Sequence, residues 1–192
     1  MKCDIVLAGV GGQGVLSLAA AIASGAMEEK LCVKQAEVHG MAQRGGAVMA
    51  TLRLADHEIA SDLIPRGTAS MILSMEPLES LRYISYLSSR GTLITSANPV
   101  RNIPDYPDLD ELLGRIRTLP GAIVLDAEKL ARQAGSARAT NMVIVGAAMH
   151  LLPIKAETIE AAVRTIFARK GEEVLSTNLR ALRAGREAAR QA

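Results

Sequence analysis

The first forty residues show a change of hydrophobic pattern that is typical of a strand, a tight turn, a helix and a second strand. Residues 4–8 form a short apolar run, residues 15–29 are rich in Ala and Leu, and residues 31–37 are a second strand candidate. Short apolar runs of this length fit strands that are buried on both faces of a parallel sheet. The order predicts a βαβ unit with a right-handed crossover.

The rest of the chain continues with further strands and helices. Residues 47–54 alternate, with Val48, Ala50, Leu52 and Leu54 on one face, which predicts a half-buried strand. We expect residues 58–61 to return beside it as a short antiparallel partner in a hairpin. Further strands are predicted at 69–75, 91–97 and 122–125. One helix is predicted to begin at Pro77, and others are predicted at 110–117, 127–134, 141–152, 156–170 and 177–190. The predicted fold is a single α/β domain over residues 1–192, a three-layer Rossmann-like sandwich with a mainly parallel sheet, an antiparallel hairpin and a helical C-terminal third.

Composition narrows the function classes. The formal net charge is +2 and aromatic residues are 2% of the 192 positions, which argues against a nucleic-acid binder. The two cysteines, Cys3 and Cys32, form no CxxC pair, so we expect neither an iron–sulfur cluster nor structural zinc. Residues 5–27 carry no charge, but glycines interrupt the run, so we expect no membrane anchor and a cytoplasmic protein.

The glycine loop, residues 9–14, has the GxGxxG spacing and stands between a predicted strand and a predicted helix. Its candidate binding residues are Gly9, Gly11, Gly12, Gln13 and Gly14. Without side chains, a phosphate can approach main-chain N–H groups at the positive end of a helix. Glu37 is suitably spaced to hold a ribose hydroxyl. A tight turn that only packs the helix on the strand explains the same residues.

A second candidate is the polar segment after the second strand, where ligands of open α/β sheets collect. Arg44 followed by two glycines can bind a carboxylate or phosphate, with exposed amides in support. An ordinary surface loop is the alternative. The candidate binding residues here are His39, Gly40, Arg44, Gly45 and Gly46.

The C-terminal helix carries Arg180, Arg183, Arg186 and Arg190 near helical spacing. A solvated face favoured by the helix dipole and a docking surface for an acidic partner both explain this pattern. Motifs of self-contained catalysis such as GxSxG, HExxH or the P-loop are absent from the sequence. We therefore expect no catalytic residue and no metal ligand in this chain, and read it as a subunit whose partners hold the cofactors.

The segment EVHGMAQRGG at residues 37–46 resembles the beta subunit of indolepyruvate:ferredoxin oxidoreductases, which corresponds to the gamma subunit or domain of pyruvate and other 2-oxoacid:ferredoxin oxidoreductases. The glycine loop is similar to the opening loop of that family. SDLIPRG at 61–67 and EPLESL at 76–81 resemble the indolepyruvate branch. Asn141 with Thr140 and NLRALRAG at 178–185 resemble its C-terminal signatures, so the resemblance covers nearly the whole chain.

This resemblance implies a subunit, inactive alone, of an enzyme of anaerobic metabolism that oxidatively decarboxylates an aryl 2-oxoacid to acyl-CoA and reduces ferredoxin. It implies that thiamine diphosphate, Mg and 4Fe–4S clusters reside in a large alpha subunit, with coenzyme A a candidate ligand of this chain. Three alternatives stay open: a gamma subunit acting on pyruvate, 2-oxoglutarate or a branched-chain 2-oxoacid; an NAD(P)-binding Rossmann dehydrogenase; and an assembly module with an empty glycine loop. A homodimer of the isolated chain is also expected to be feasible, because an apolar surface must remain for the partner.

Overall fold

The computed structural model describes residues 1–39 and 45–191. Within them, six strands form one sheet in the order β2-β3-β1-β4-β5-β6. The strands are β1 (Lys2–Val10), β2 (Cys32–His39), β3 (Ala47–Ala55), β4 (Ala69–Ser74), β5 (Leu87–Ser96) and β6 (Ile123–Leu125). β1, β4, β5 and β6 run parallel to one another, whereas β3 is antiparallel to both of its neighbours.

The helices of these residues lie on both faces of the sheet. They are α1 (Val15–Glu28), α2 (Pro77–Arg82), α3 (Leu109–Arg117), α4 (Ala127–Ala134), α5 (Thr140–Ala148), α6 (Ala156–Phe167) and α7 (Glu172–Arg190). Alternate residues of a strand face opposite sides of the sheet. In β1, Ile5 and Leu7 face the larger core with α1 and α4–α7, and Val6 faces the smaller core with α3. The three-layer α/β sandwich with a mixed sheet and a helical C-terminal third is therefore confirmed.

The hairpin is different from the predicted one. β3 pairs with β2 and, over its whole length, with β1, while residues 58–61 form no strand. Side chains of β3 hold this segment instead: Thr51 Oγ1 donates to the Asp62 carbonyl at 3.0 Å, and Arg53 donates to the Ser61 carbonyl at 2.8 Å. Because these carbonyls accept from side chains that leave one face of β3, the segment crosses that face and does not extend the sheet.

The order of the strands also corrects the predicted βαβ unit. β1 and β2 run in the same direction, but β3 is inserted between them. Sheet neighbours are about 4.8 Å apart, so β2 lies about 10 Å from β1. The C-terminal end of β2 is therefore displaced from the glycine loop by the width of one strand.

Helix α5 is the centre of the larger helical layer, and α7 crosses it closely. Gly146 of α5 faces the Leu182 carbonyl of α7, and Gly185 of α7 faces the Val143 carbonyl of α5. A Cβ atom at either glycine would overlap the facing carbonyl oxygen. This close crossing fixes α7 relative to α5, and residues of both helices border the candidate site.

Candidate functional site

The glycine loop is a rigid turn between β1 and α1. Gly12 and Gly14 have φ values of 101° and 81°, which side chains disfavour. The Gln13 amide fastens the loop, because its Oε1 accepts from the Val10 N–H at 2.8 Å and its Nε2 donates to the Met75 carbonyl at 3.1 Å. Gln13 thus joins the ends of β1 and β4, and both ends of its amide have partners within the protein.

Gly9 has a packing role. A Cβ atom there would lie 2.8 Å from Val15 Cγ2 and 3.1 Å from Met75 Cβ, closer than side chains normally approach. The absence of a side chain at Gly9 lets the first turn of α1 approach the end of β4. Gly9 is therefore needed for helix–strand contact, as the tight-turn interpretation of this motif predicts.

Gly11 joins the glycine loop to the second candidate segment. Its N–H donates to the Gly46 carbonyl at 2.8 Å, and the Gly45 N–H donates to the Gly11 carbonyl at 3.3 Å. The Asn102 side chain, which follows β5, donates to the Gly45 carbonyl at 2.6 Å. The structure thus places Gly45 and Gly46 against the glycine loop, while Gly40 and Arg44 lie outside the described residues. The backbone of His39 ends β2.

Glu37 does not meet the glycine loop in the way a dinucleotide site requires. It is exposed on β2 and pairs across the strand with Ala50 of β3. In a dinucleotide fold the acidic residue follows the strand that lies beside the first one, and here β3 occupies that place. The geometry therefore gives no support to the NAD(P) dehydrogenase alternative.

The other side of the glycine loop borders a cleft of about 990 Å³ at the carboxyl ends of the parallel strands. Gly12 and Gly14 lie on one wall, and Thr177 and Asn178 of α7 lie on another. Open α/β sheets bind their ligands in such crevices, at the point where the chain connections diverge to the two sides. Other lining residues are Ser17, Met75, Asn98, Arg138, Asn141 and Lys170.

The glycine-loop wall offers hydrogen-bond donors. The N-cap of α1 is Gly14, so the helix has no side-chain cap, and its first turn carries no acidic residue. Within residues 1–39 and 45–191, the N–H groups of Gly12, Gly14 and Val15 donate to no protein acceptor. A helix N-terminus with free N–H groups favours an anion. This wall is therefore suited to a phosphate or carboxylate.

Two asparagines fix the floor of the cleft. The Asn98 Oδ1 accepts from the Ser96 hydroxyl at 2.8 Å and from the Glu128 N–H at 2.9 Å, which ties β5 to the start of α4. Asn141, at the start of α5, donates to the Gly14 carbonyl at 3.4 Å and limits the space at Gly14. The cleft thus has walls held by several hydrogen bonds.

The charges of the cleft are mixed. Arg138 and Lys170 are exposed cations, and Glu128 and Glu173 are carboxylates. Glu128 is already in an ion pair with Arg132. Within the described part of the chain, neither Arg138 nor Lys170 has a carboxylate within salt-bridge distance. The two cations are therefore available to an anionic ligand.

Glu76 is a buried carboxylate next to the cleft, and its contacts make it structural. Its Oε2 accepts from the Glu79 N–H at 2.8 Å, capping α2, and its Oε1 accepts from the Val100 N–H and the Tyr106 hydroxyl. Burial, then the hydrogen bond to Glu76, raises the pKa of the Tyr106 phenol. Glu76 thereby anchors the segment that follows β5.

Sequence reasoning missed the cleft residues contributed by the C-terminal third, including Arg138, Thr177 and Asn178. The only sequence feature that pointed to this part of the cleft was that Asn141 and Asn178 stand in segments that resemble the family's C-terminal signatures.

The described residues contain no group of three or more His, Cys, Asp or Glu side chains placed to hold a metal ion. In the same part of the chain, no helix combines the length and the apolar character needed to cross a membrane.

Comparison with known proteins identifies the family. The model of the pyruvate ferredoxin/flavodoxin oxidoreductases matches residues 4–188. This chain belongs to that family. It is 38% identical to indolepyruvate oxidoreductase subunit IorB of Archaeoglobus fulgidus, over 96% of this chain and 94% of the relative. The resemblance to the indolepyruvate branch is confirmed, and the chain is a subunit of the 2-oxoacid:ferredoxin oxidoreductase class.

Solved structures show the same fold. The gamma subunit of a keto/oxoacid ferredoxin oxidoreductase from Geobacter sulfurreducens has a TM-score of 0.71 at 22% identity, with 99% of both chains covered. A 2-oxoglutarate:ferredoxin oxidoreductase from Magnetococcus marinus, with 2-oxoglutarate, coenzyme A and succinyl-CoA bound, has a TM-score of 0.77 at 22% identity. The alignment covers all of this chain but only 31% of that longer protein. In that protein, the fold is therefore one part of a larger polypeptide.

Proposed function

We propose that this chain is the small subunit of an indolepyruvate or related arylpyruvate:ferredoxin oxidoreductase that forms acyl-CoA. Thiamine diphosphate, Mg and the 4Fe–4S clusters belong to a large alpha subunit, and ferredoxin is reduced by the complex. The proposal is supported by the 38% identity to subunit IorB over nearly the full length. The choice of an aryl side chain follows that branch, with pyruvate, 2-oxoglutarate and branched-chain 2-oxoacids as the alternatives.

The residues of this chain do not fit the redox cofactors. Cys3 is buried and Cys32 is exposed, on different strands separated by β3. Four thiolates usually hold a 4Fe–4S cluster. We therefore assign no electron-transfer step and no thiamine chemistry to this chain, and propose that it is inactive alone.

The residues do fit an anionic acyl acceptor such as coenzyme A. The observation that carries this assignment is the row of N–H groups at Gly12 and Gly14, which have no acceptor among the described residues and stand in the wall of the cleft at the sheet edge. Coenzyme A carries a pyrophosphate that such a row can bind. The chain would then orient the acceptor and exclude water from the partner's reaction centre. Arg44 is proposed as a further ligand of the anion, on the segment that Gly45 and Gly46 attach to the glycine loop.

The test is an assembled complex that carries Arg44→Ala in this subunit. Removing a charged hydrogen-bond donor to an anion is expected to raise the KM for coenzyme A or arylpyruvate about tenfold or more. Arg117→Ala, at the exposed end of α3, is the matched control and should leave kinetics unchanged. Unaltered KM and kcat values in Arg44→Ala would show that the assigned role is wrong.

The substrate assignment has its own test in the unmodified complex. Turnover is compared between indolepyruvate, phenylpyruvate, pyruvate, 2-oxoglutarate and a branched-chain 2-oxoacid, with ferredoxin as acceptor. The highest kcat/KM is expected for an arylpyruvate. A preference for one of the other 2-oxoacids would reassign the branch, and turnover by this chain without its partner would overturn the subunit proposal.

A further inference from the structure

Strand β2 forms one edge of the sheet and is open along its outer side. It pairs with β3 residue for residue over Cys32–His39, with no bulge, and no described strand follows it in the sheet. In an antiparallel pair, alternate residues direct their N–H and C=O groups to the partner strand, so about half of the backbone groups of β2 point outward. Another strand can bind these groups.

The opposite edge of the sheet is protected, whereas β2 is not. β6 has three residues, and α3 and α7 both contact it. Edge strands that stay unpaired are usually short, bulged, or interrupted by proline or by outward lysines. β2 has eight residues and no proline. Its lysine, Lys34, is directed over one face of the sheet, because its Nζ donates to the Ala60 carbonyl at 3.3 Å.

The side chains of β2 also suit an interface. Val38 is 69% exposed, and no other large apolar side chain among the described residues is more exposed. Gln35 and Glu37 are exposed as well, on the face opposite to Val38. Lys34 and Glu37 balance each other in charge, so two copies of β2 do not repel each other through a net charge.

The geometry of an antiparallel pair restricts how two copies of β2 can meet. A two-fold axis that joins them lies perpendicular to the sheet and keeps the faces of the two copies aligned. Residues directly opposite each other lie on the same face, so they are an even number of positions apart. The residue on the axis therefore faces the same residue of the other copy.

Three of the four central positions of β2 are unsuited to the axis. With Lys34 or Glu37 on the axis, two like charges would stand directly opposite each other, which is destabilising. With Gln35 on the axis, the Glu37 carboxylate would oppose Val33, which packs against the larger core. That carboxylate would then face an apolar side chain and no donor.

The fourth position, Ala36, gives complementary pairs on both faces. On one face, the Glu37 carboxylate opposes the Gln35 amide, which can donate a hydrogen bond to it. On the other face, Val38 opposes Lys34, whose aliphatic stem can cover it while the ammonium group stays in water. The two-fold axis makes each of these pairs occur twice. The sequence of β2 is therefore complementary to itself in this one register.

We propose that β2 pairs antiparallel with β2 of a second copy of this chain, with the two Ala36 residues on the two-fold axis. The pairing joins two six-stranded sheets into one continuous sheet. It provides partners for the outward N–H and C=O groups and covers Val38. The dimer is independent of the proposed reaction, because no residue of β2 lines the cleft.

The first test measures the dimer dissociation constant of the full-length chain by sedimentation equilibrium. Val38→Lys places an ammonium group opposite Lys34 at both symmetric sites, so we expect the dissociation constant to rise about tenfold or more. Val38→Glu places a carboxylate there, and the dimer should be at least as tight as that of the unmodified chain. Leu63→Lys and Leu63→Glu, at an equally exposed position outside β2, are the controls and should change nothing.

A chain that is monomeric at every concentration would overturn the inference. Equal weakening by Val38→Lys and Val38→Glu would contradict the register, since Val38 would then act without Lys34. Weakening by the Leu63 variants would place the interface on the face of the sheet and not on its edge, which overturns the inference too.

A disulfide crosslink tests the register directly. In a Cys32→Ser background, Ala36→Cys sets two thiols directly opposite each other, at a Cα separation of about 4.5 to 5.5 Å that a disulfide can span. Mild oxidation should therefore give a covalent dimer. Gln35→Cys is the matched control, because its two copies stand diagonally, about 8 Å apart, and should not crosslink. A crosslink through residue 35 and none through residue 36 would contradict the proposed axis.

The large subunit is the other candidate for this edge. If the amides of β2 gain protection from hydrogen exchange only after that subunit is added to a monomeric chain, the edge belongs to the subunit and the inference is wrong. These outcomes are separate from the 2-oxoacid assays. A complex that prefers pyruvate changes the proposed substrate and leaves the dimer intact, whereas a monomeric chain leaves the substrate assignment intact.

Discussion

The two ends of the sheet both carry polar groups, but they differ in how many of their hydrogen bonds are satisfied within the protein. At the amino end of β1, the buried Asp4 is paired with Arg53 at 2.8 Å and with Lys2 at 2.8 Å. Arg53 also donates to the carbonyls of Ser61 and Leu63, so it binds a carboxylate and two backbone groups at once. At the carboxyl end, the N–H groups of Gly12 and Gly14 and the Asn178 oxygen have no described partner.

This difference separates a structural polar cluster from a candidate binding site. A buried carboxylate is conspicuous at both ends, Asp4 at one and Glu76 at the other, and each has its oxygens occupied by protein donors. Burial and charge alone therefore do not mark the functional end. The functional end is marked instead by donors and acceptors that face a cleft and have no partner in the protein, because leaving such groups unpaired costs stability.

The largest effect is expected at the structural end. Arg53→Met leaves the Asp4 carboxylate, which is 1% exposed, with Lys2 as its remaining described cation. Removing one partner of a buried ion pair costs about 3 to 5 kcal/mol. Denaturant unfolding should show a loss of this size, with unchanged coenzyme A binding by the folded fraction.

A double variant tests the reason for that loss. Asp4→Leu combined with Arg53→Met removes both charges and should recover most of the stability, because an apolar pair often replaces a buried ion pair without loss. If the double variant is as unstable as Arg53→Met alone, the Arg53 contacts to the 61–63 segment carry the effect. A fall in coenzyme A affinity would contradict the separation of the two ends.

The glycine loop gives the next largest effect, at the binding end. Gly12→Ala and Gly14→Ala both place a side chain on a positive φ, at a cost of about 1 to 2 kcal/mol. At Gly14 the new Cβ also lies 2.9 Å from Asn141 Nδ2, whereas at Gly12 no described atom is within 4 Å. Thermal unfolding should therefore show Gly14→Ala as the less stable variant.

Ligand binding distinguishes a phosphate cradle from an empty turn. A methyl group at Gly12 stands beside the N–H groups of the loop, so we expect pyrophosphate and coenzyme A to bind at least tenfold more weakly to Gly12→Ala. Gly171→Ala, also at a positive φ with open space, is the control for backbone strain. Full affinity in Gly12→Ala would favour the interpretation of this chain as an assembly module with an empty loop.

Local patterns predicted much of the fold. The apolar runs predicted β1 and β4, and the helix predicted at 127–134 is α4, whose N-cap Asp126 accepts from the Lys129 N–H at 3.1 Å. The insertion of β3 between β1 and β2 could not be found this way, because pairing across the sheet depends on contacts between distant residues. Likewise β5 begins at Leu87, earlier than predicted, since a 3-10 turn at Ile84–Tyr86 ends the preceding helical stretch.

The candidate site was predictable on one side only. The glycine spacing and the preceding strand placed the loop correctly, because both are local features. Asn178 is a single polar residue in an amphipathic helix, and its exposure to the cleft depends on the crossing of α5 and α7 at Gly146 and Gly185. No periodicity reports such a crossing. Packing between distant segments therefore determined the part of the site that the sequence pattern left out.

The smallest effect is expected at Asp56, an exposed carboxylate at the structural end. Its Oδ2 accepts from the N-terminal ammonium at 2.6 Å, and its Oδ1 lies 2.8 Å from His57 Nδ1. The hydrogen bond from the N-terminal ammonium, then that from His57, lowers the Asp56 pKa from 3.8 to about 2. A lowered pKa in the folded state stabilises the protein above pH 3.8, and this stabilisation is lost as the pH falls through about 2.

Asp56→Asn should therefore lower the Tm slightly at pH 6, and the two melting curves should converge near pH 2. Solvent screening keeps the difference small, because surface ion pairs contribute little. Acetylating the N-terminal amine should reproduce the effect in the unmodified chain. A Tm difference that persists unchanged at pH 2 would mean that Asp56 acts through its shape and not its charge. A difference as large as that of Arg53→Met would remove the distinction between buried and exposed pairs at this end of the sheet.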